Sequence, residues 1–400
     1  MSKLFTIKKY DEAFQAFCNR DLIQSMYSEC KVLMEKVLLT LHGKEHTTRR
    51  GMELKLFRRN YVRYYLQEVY PKTLNTILVP HVERGKADLI EFAYRVNMHL
   101  SCDFAGIDHD YSDRQQTNEL MDIIRKCGEG ATLFHSVRDK DKVRAEVKTA
   151  IDALDQNYLQ ASIARRKALL AEFEQGEIAE EDLPRDILMI LLQNQKSSGM
   201  SDELLRRETA FFLQAGPHST ANASVHSFHE ITQWCKNHPE DRQRIQQDPI
   251  FLQRCVHESL RLHPASPAAW RSVGCPMSMD KKPLTEGDSV MIDMHQANRD
   301  EDIFGEDAHL FNPHRTIKDR YPPYGLTFGV GVHTCFGLHL AGGLLPKGKV
   351  DPVEHQYGIV TSLLRGLFEA GASPDPDAPP QADDGTDRAN WSNYPIVFNK

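Results

Sequence analysis

The chain has 400 residues, 40% hydrophobic, 26% charged and 8% aromatic, which is long and apolar enough for a large buried core. Forty-nine Lys and Arg against 56 Asp and Glu leave a net charge of -7, which argues against a chain-wide nucleic-acid footprint. The opening residues contain no apolar signal-peptide core and no run approaches the ~18 apolar residues of a membrane span, so a soluble, cytoplasmic protein is expected.

KLFTIKKYDEAFQAFCNR reads as a short strand that turns helical at Asp11. A basic helix is expected over GKEHTTRRGMELKLFRRNYVRYYLQEVY, and helical patterning continues through KADLIEFAYRVNMHL and the charged stretch 140–174. DILMILLQNQ and SDELLRRETAFFLQAG are apolar helical segments, the second with Ser201 as N-cap. DPIFLQRCVHESLRLHP is a further helix, stopped by Pro264. Beyond Trp270 the texture changes to short strand-like pieces such as DSVMIDMHQAN between loops. ASPDPDAPPQADDG is expected to be a solvated loop and NYPIVF a closing strand. No repeat or flexible linker divides the chain, so one mainly α unit with small sheets is expected over 1–400.

The eight cysteines show no C-x-x-C and no zinc-finger spacing, and most read as small buried hydrophobes. Cys335 differs. In TFGVGVHTCFGLHLA it is flanked by glycines and followed by a helical segment. A thiolate used as a metal ligand needs shielding from water and nearby N–H donors, and glycines let a loop lie flat beneath a planar group. The alternative for this stretch alone is a Gly-rich turn around a buried thiol.

The pattern Phe328-x-x-Gly331-x-His333-x-Cys335-x-Gly337 resembles the heme-binding loop of the cytochrome P450 family. VHESLRLHP holds Glu258-x-x-Arg261, similar to the family's E-x-x-R helix; three apart, the two side chains share a face. His257-Glu258 does not begin a zinc-protease motif, because Arg261 occupies the second histidine position. Arg271 follows where the family places a propionate-binding arginine, and ANRDEDIFGEDAHLFNPHR resembles the next family stretch, ending in Arg315. Upstream, His46-x-x-x-Arg50 matches a helix that contacts propionates.

The resemblance implies a cytochrome P450 fold with heme b (iron protoporphyrin IX) held by Cys335 as proximal iron ligand. It further implies His46, Arg50, Arg271 and His333 at the propionates, with Ala215, Gly216, Phe328, Gly331 and Gly337 against the cofactor. Glu258, Arg261 and Arg315 become a structural ion cluster that does no chemistry. Pocket positions are Phe212, Leu213, His218, Ala268 and Ala269, which suggest a small, largely apolar organic substrate.

Three departures stand out. FFLQAGPHSTANAS places His218 where the family usually has an acid and Ser219, with Thr220 next, where it has an alcohol. These residues are candidates for a proton relay, for a contact to an acidic or hydroxylated substrate, or for structural filler, and Pro217 should kink the helix. The fold is expected to be N-terminally shortened, leaving a small sheet incomplete or repaired differently. LHLAGGLLPKGKVDPVEHQYG should break a usually continuous helix at Gly342, Gly343 and Pro346, with a restart near Val360.

With no cluster-binding cysteine spacing, O2 chemistry would draw electrons from a separate ferredoxin and ferredoxin reductase. Lys44, Arg49, Lys55, Arg58 and Arg59 form either a docking patch for such a partner or an ordinary solvated helix face. Two rival functions remain: an atypical heme-thiolate peroxygenase, isomerase or coupling catalyst, favoured by Pro217-His218, and a non-enzymatic heme sensor.

Overall fold

A computed structural model describes residues 3–346, 348 and 350–399. It is mainly α with small sheets, as expected. The segment at Leu4–Ile7 is a strand, followed by the helix Tyr10–Cys18. That strand pairs in parallel with Ser289–Asp293, which pairs antiparallel with Ala268–Val273, which in turn pairs with Leu22–Gln24. The four strands therefore form one mixed sheet, with Leu4–Ile7 and Leu22–Gln24 at its edges. In Ala268–Val273 alternate residues are buried, so Ala269, Arg271 and Val273 share the inward face. An arginine is thereby committed to the interior.

The larger apolar core belongs to the helices. Leu89–Ala105 packs against Pro217–Asn237, and Phe92, Phe228 and Leu363 are completely buried there. Each such side chain contributes about 1.5–3 kcal/mol relative to exposure. A second cluster beneath the four-stranded sheet gathers Ile7, Tyr10, Val290, Ile292 and Phe304.

Ser201 caps the helix Asp202–Ala215 by accepting from the Leu204 N–H, as its position predicts. This helix and Pro217–Asn237 follow one another with a break at Gly216. Pro217 supplies no N–H to the preceding turn and its ring crowds the carbonyl four residues back, which accounts for the interruption.

The helix after Cys335 also breaks where the glycines predict. Leu338–Gly342 ends, and Ile359–Glu369 resumes. Gly343 and Gly358 both have positive φ, +77° and +84°, and a Cβ on either would come within 2.4 Å of the facing backbone. The excursion between them is therefore closed by two glycines in contact. Gln253 Nε2 pins it by donating to the carbonyls of Gly342, Leu344 and Tyr357 at 3.1–3.2 Å, and His257 Nε2 donates to Gly342 O at 2.7 Å.

Three expectations need correction. The long basic helix is broken once, where Arg58 adopts extended backbone after Gly43–Glu53 and the short turn Leu54–Phe57; from Arg59 the chain is helical to Arg84, through a π-helical turn at Tyr65–Val69. Lys86–Asp88 is a strand rather than the start of a helix, held by pairing with Pro395–Phe398. The acidic segment read as loop contains two short strands: Ala372–Pro374, which joins the same closing strand, and Gln381–Ala382, which pairs with Trp391–Asn393.

Candidate heme-thiolate site

Cys335 lies between the tight turn Gly331–His333 and the helix Leu338–Gly342. Its N–H donates to Phe328 O at 2.9 Å, so the loop folds back upon itself. Burial pushes the thiol pKa up, while the N–H groups of Gly337 and Leu338 and the Arg50 guanidinium pull it down. Protein surrounds the residue, yet its surface is open, because it faces an interior cavity of about 400 Å³. Phe57, Leu100, Phe104, Phe212, Ala268 and Ala269 give that cavity apolar walls.

The rim carries groups that seek anions. His46 is 3% exposed and its Nε2 has no hydrogen-bond partner. It stacks near His333, with ring centroids 4.4 Å apart. Burial lowers both imidazole pKa values, that of His333 to about 3, with neighbouring cations adding to the effect. Arg50 Nη2 donates to Thr334 O at 2.6 Å and its guanidinium lies 4.1 Å above the Phe336 ring. Arg271 donates only to its neighbour's carbonyl, Trp270 O, at 2.9 Å, and burial lowers its pKa to about 10. Among the described residues no carboxylate lies within 4.0 Å of Arg50 or Arg271. Buried cations without anions are costly. A planar group bearing two carboxylates, with a metal over the sulfur, fits this arrangement.

On the opposite side stands the broken helix. Ala215, Gly216, His218, Ser219 and Thr220 all line the cavity. Ser219 Oγ donates backward to Ala215 O at 3.1 Å and lies 3.2 Å from Gly216 O, which also accepts from the Thr220 N–H at 3.0 Å. His218 opens only toward the cavity. Its Nε2 is 3.0 Å from a terminal nitrogen of Arg388, and burial followed by the charges of Arg388 and Arg125 lowers its pKa to about 3.

The ion cluster assembles as its spacing predicts. Arg261, with no exposed surface, donates to both Glu258 oxygens at 2.7 and 2.8 Å, and Arg315 Nε reaches Glu258 Oε1 at 3.1 Å. Arg261 also grips the carbonyls of Asn298 and Ala308, each at 2.6 Å. Asn298 and Thr327 extend the network: Leu326 N–H donates to Asn298 Oδ1 at 2.7 Å and Thr327 Oγ1 to Leu260 O at 2.6 Å. The cluster therefore braces the chain entering the cysteine loop.

Three expected site residues are placed elsewhere. Leu213 is 1% exposed and packs in the helical core rather than lining the cavity, since the helix turns it away from its neighbour Phe212. Gly331 also lies off the cavity; at φ +77°, a Cβ there would sit 2.8 Å from Phe17 O, so its role is close approach of the loop to the first helix. Arg49 is not part of a surface patch, being buried against Glu208 at 2.9 Å, whereas Lys44, Lys55, Arg58 and Arg59 are exposed. Sequence reasoning missed Arg388, Tyr27, Thr132 and Phe336 in the lining. Arg388 sits in an acidic loop, where a lone cation reads as solvated.

A lone cysteine beneath an apolar cavity, in a mainly helical fold with carboxylate-seeking groups at the rim, defines a heme-thiolate protein. The family description Cytochrome P450 matches residues 133–342. Pulcherriminic acid synthase of Bacillus subtilis (strain 168) is 24% identical over 344 residues, which is 84% of this chain and 76% of that protein. Two solved structures share the fold: P450BioI in complex with hexadec-9Z-enoic acid ligated acyl carrier protein, and epothilone D-bound cytochrome P450epoK. Both superpose with a TM-score of 0.74, at 16% and 14% identity. They cover 98% and 99% of this chain, and it covers 92% and 91% of theirs. The chain belongs to the cytochrome P450 family, monooxygenases whose cofactor is a b-type heme. Among the described residues, no helix is long and apolar enough to cross a membrane.

Proposed function

We propose that the chain inserts one O2-derived oxygen atom into a C–H bond of a small, largely apolar organic substrate, with electrons supplied by a separate ferredoxin and its reductase. The observation that carries this reading is the Cys335 sulfur facing an apolar cavity whose rim cations lack anions. In it Cys335 would hold the heme iron through its sulfur, and His46, Arg50, Arg271 and His333 would hold the propionates. Bound heme supplies oxygen activation, for which a thiolate ligand favours O–O cleavage. The remaining work belongs to the protein. Phe212, Ala268 and Ala269 exclude water and seat hydrocarbon, and the Gly337 N–H helps to stabilise the sulfur's charge. Thr220 presents a hydroxyl to the cavity beside Ser219, whose own proton is directed to helix carbonyls. Lys55, Arg58 and Arg59, exposed on one short segment, suit an acidic electron donor.

The test is turnover under ¹⁸O2 with a reduced ferredoxin: one labelled atom per product molecule supports the proposal, and unlabelled product contradicts it. A second reading, a heme-thiolate peroxygenase, is favoured by one observation. His218 Nε2 accepts from Arg388 and is thereby unavailable as an acid at the usual relay position. Peroxide-driven turnover without ferredoxin would select it.

A further inference from the structure

Arg388 lines the cavity and makes none of its hydrogen bonds to the cysteine loop. It comes from the loop between the strands Gln381–Ala382 and Trp391–Asn393, and reaches the kink of the long helix. One terminal nitrogen meets His218 Nε2 at 3.0 Å and Thr132 Oγ1 at 3.2 Å; Nε meets Thr386 Oγ1 at 3.3 Å and Nη1 meets Ala265 O at 3.5 Å. All four acceptors are neutral, and most of these contacts are long for charge-assisted bonds. Among the described residues no carboxylate lies within 4.0 Å of the guanidinium. The adjacent Asp387 turns instead to His135 Nδ1, 2.8 Å away.

His218 settles the sense of its contact. A guanidinium only donates, so Nε2 accepts and the ring is neutral with its proton on Nδ1. A neutral imidazole adds no competing charge, yet fixes the direction of the Arg388 fork. Arg50 and His333 attach to the cysteine loop, whereas Arg388 attaches to the opposite side, at the helix break. His46, Arg50, Arg271 and His333 already furnish donors for two heme carboxylates. Arg388 is a desolvated cation left over, in a chamber to which Phe57, Leu100, Phe104, Phe212, Ala268 and Ala269 contribute apolar walls.

We propose that Arg388, aligned by His218 and Thr132, binds a carboxylate on the substrate, so that the preferred substrates are apolar organic acids held by their charged end. This rests on reading the cavity as the substrate chamber of a heme-thiolate enzyme. The substrate anion takes the one N–H of the fork left without a partner, on Nη1, and replaces the 3.5 Å contact to Ala265 O, while the hydrocarbon lies against Phe212, Ala268 and Ala269. Anchoring one end also fixes which carbon faces the reacting centre, at a set distance from the acid.

The experiment titrates heme-loaded protein with decanoic acid and 4-phenylbutyric acid, and with the methyl ester of each, following the Soret shift. The wild type is expected to bind each acid about 10- to 100-fold more tightly than its ester. Arg388→Gln should erase that preference while leaving ester affinity within about twofold, and Arg388→Lys should restore part of it. Equal affinity for acid and ester in the wild type, or no binding of either acid, overturns the proposal without needing any variant to fold. Arg388→Gln that loses heme while the wild-type acid preference persists unchanged in the heme-loaded fraction also overturns it, assigning the arginine to a propionate. Failure of the underlying heme-thiolate reading is separately visible as a missing thiolate band in the carbon monoxide spectrum.

Discussion

Replacing Arg261 by alanine tests the brace behind the cysteine loop. The side chain is wholly buried and its guanidinium makes two bonds to Glu258, at 2.7 and 2.8 Å, and bonds of 2.6, 2.6 and 3.3 Å to the carbonyls of Asn298, Ala308 and Leu310. Truncation leaves Glu258 with Arg315 and the Asn312 N–H, and takes the guanidinium from the Asn298 and Ala308 carbonyls beside a new cavity, while Leu310 O keeps Arg315. Breaking a buried ion pair from one side costs about 3–5 kcal/mol. Because Asn298 also holds the Leu326 N–H, the cysteine loop should loosen too, and heme occupancy should fall with stability. The control is Arg365→Ala, whose partner Glu369 is, like Arg365 itself, 54% exposed, and which should cost less than about 1 kcal/mol. Urea unfolding followed by circular dichroism, with heme content measured on the same samples, gives both quantities. A loss from Arg261→Ala equal to that of the surface control would refute the reasoning.

Three further outcomes are expected. Thr220→Ala should lower product formed per electron consumed, whereas Ser219→Ala, which removes a hydroxyl that donates to helix carbonyls, should leave coupling unchanged; a coupling loss in Ser219→Ala alone would contradict this. Burial raises the pKa values of both Glu53 and Glu208; Glu208 keeps the Arg49 partner and the Leu38 N–H, while both Glu53 oxygens lack partners, so Glu53 holds the proton. Groups bound to protons more tightly when folded stabilise fully below the unfolded value near 4.5 and lose that contribution as pH rises through the folded value, so Glu53→Gln should flatten the decline in stability as pH rises above about 4.5. A decline as steep as the wild type's would contradict this. Reversing Arg58 and Arg59 to glutamate should slow reduction by an acidic ferredoxin at low salt and abolish its salt dependence, with stopped-flow rates as the readout.

The parts of this molecule legible in sequence are those set by neighbours along the chain. Glu258 and Arg261 pair because they lie three positions apart on a helix, and Gly342 and Gly343 mark the point where the helix after Cys335 stops. What escaped depends on closure over long separations. Arg49 reads as one more surface cation until Glu208, 159 positions away, is folded beside it. Arg388 reads as solvated among aspartates until its loop reaches His218 across 170 positions. Lys86–Asp88 is too short to show alternation and is a strand only because Pro395–Phe398 lies alongside. Leu213 and Phe212 are both apolar, and only the helix phase beside the break at Gly216 decides which one lines the cavity.

The central claim is that Cys335 holds heme iron through its sulfur. Its most direct test is the carbon monoxide difference spectrum of the reduced, heme-loaded protein, alongside Cys335→Ser. A thiolate ligand predicts a band near ~450 nm in the wild type that is absent from the variant. A wild-type spectrum lacking that band and indistinguishable from the serine form would contradict the account.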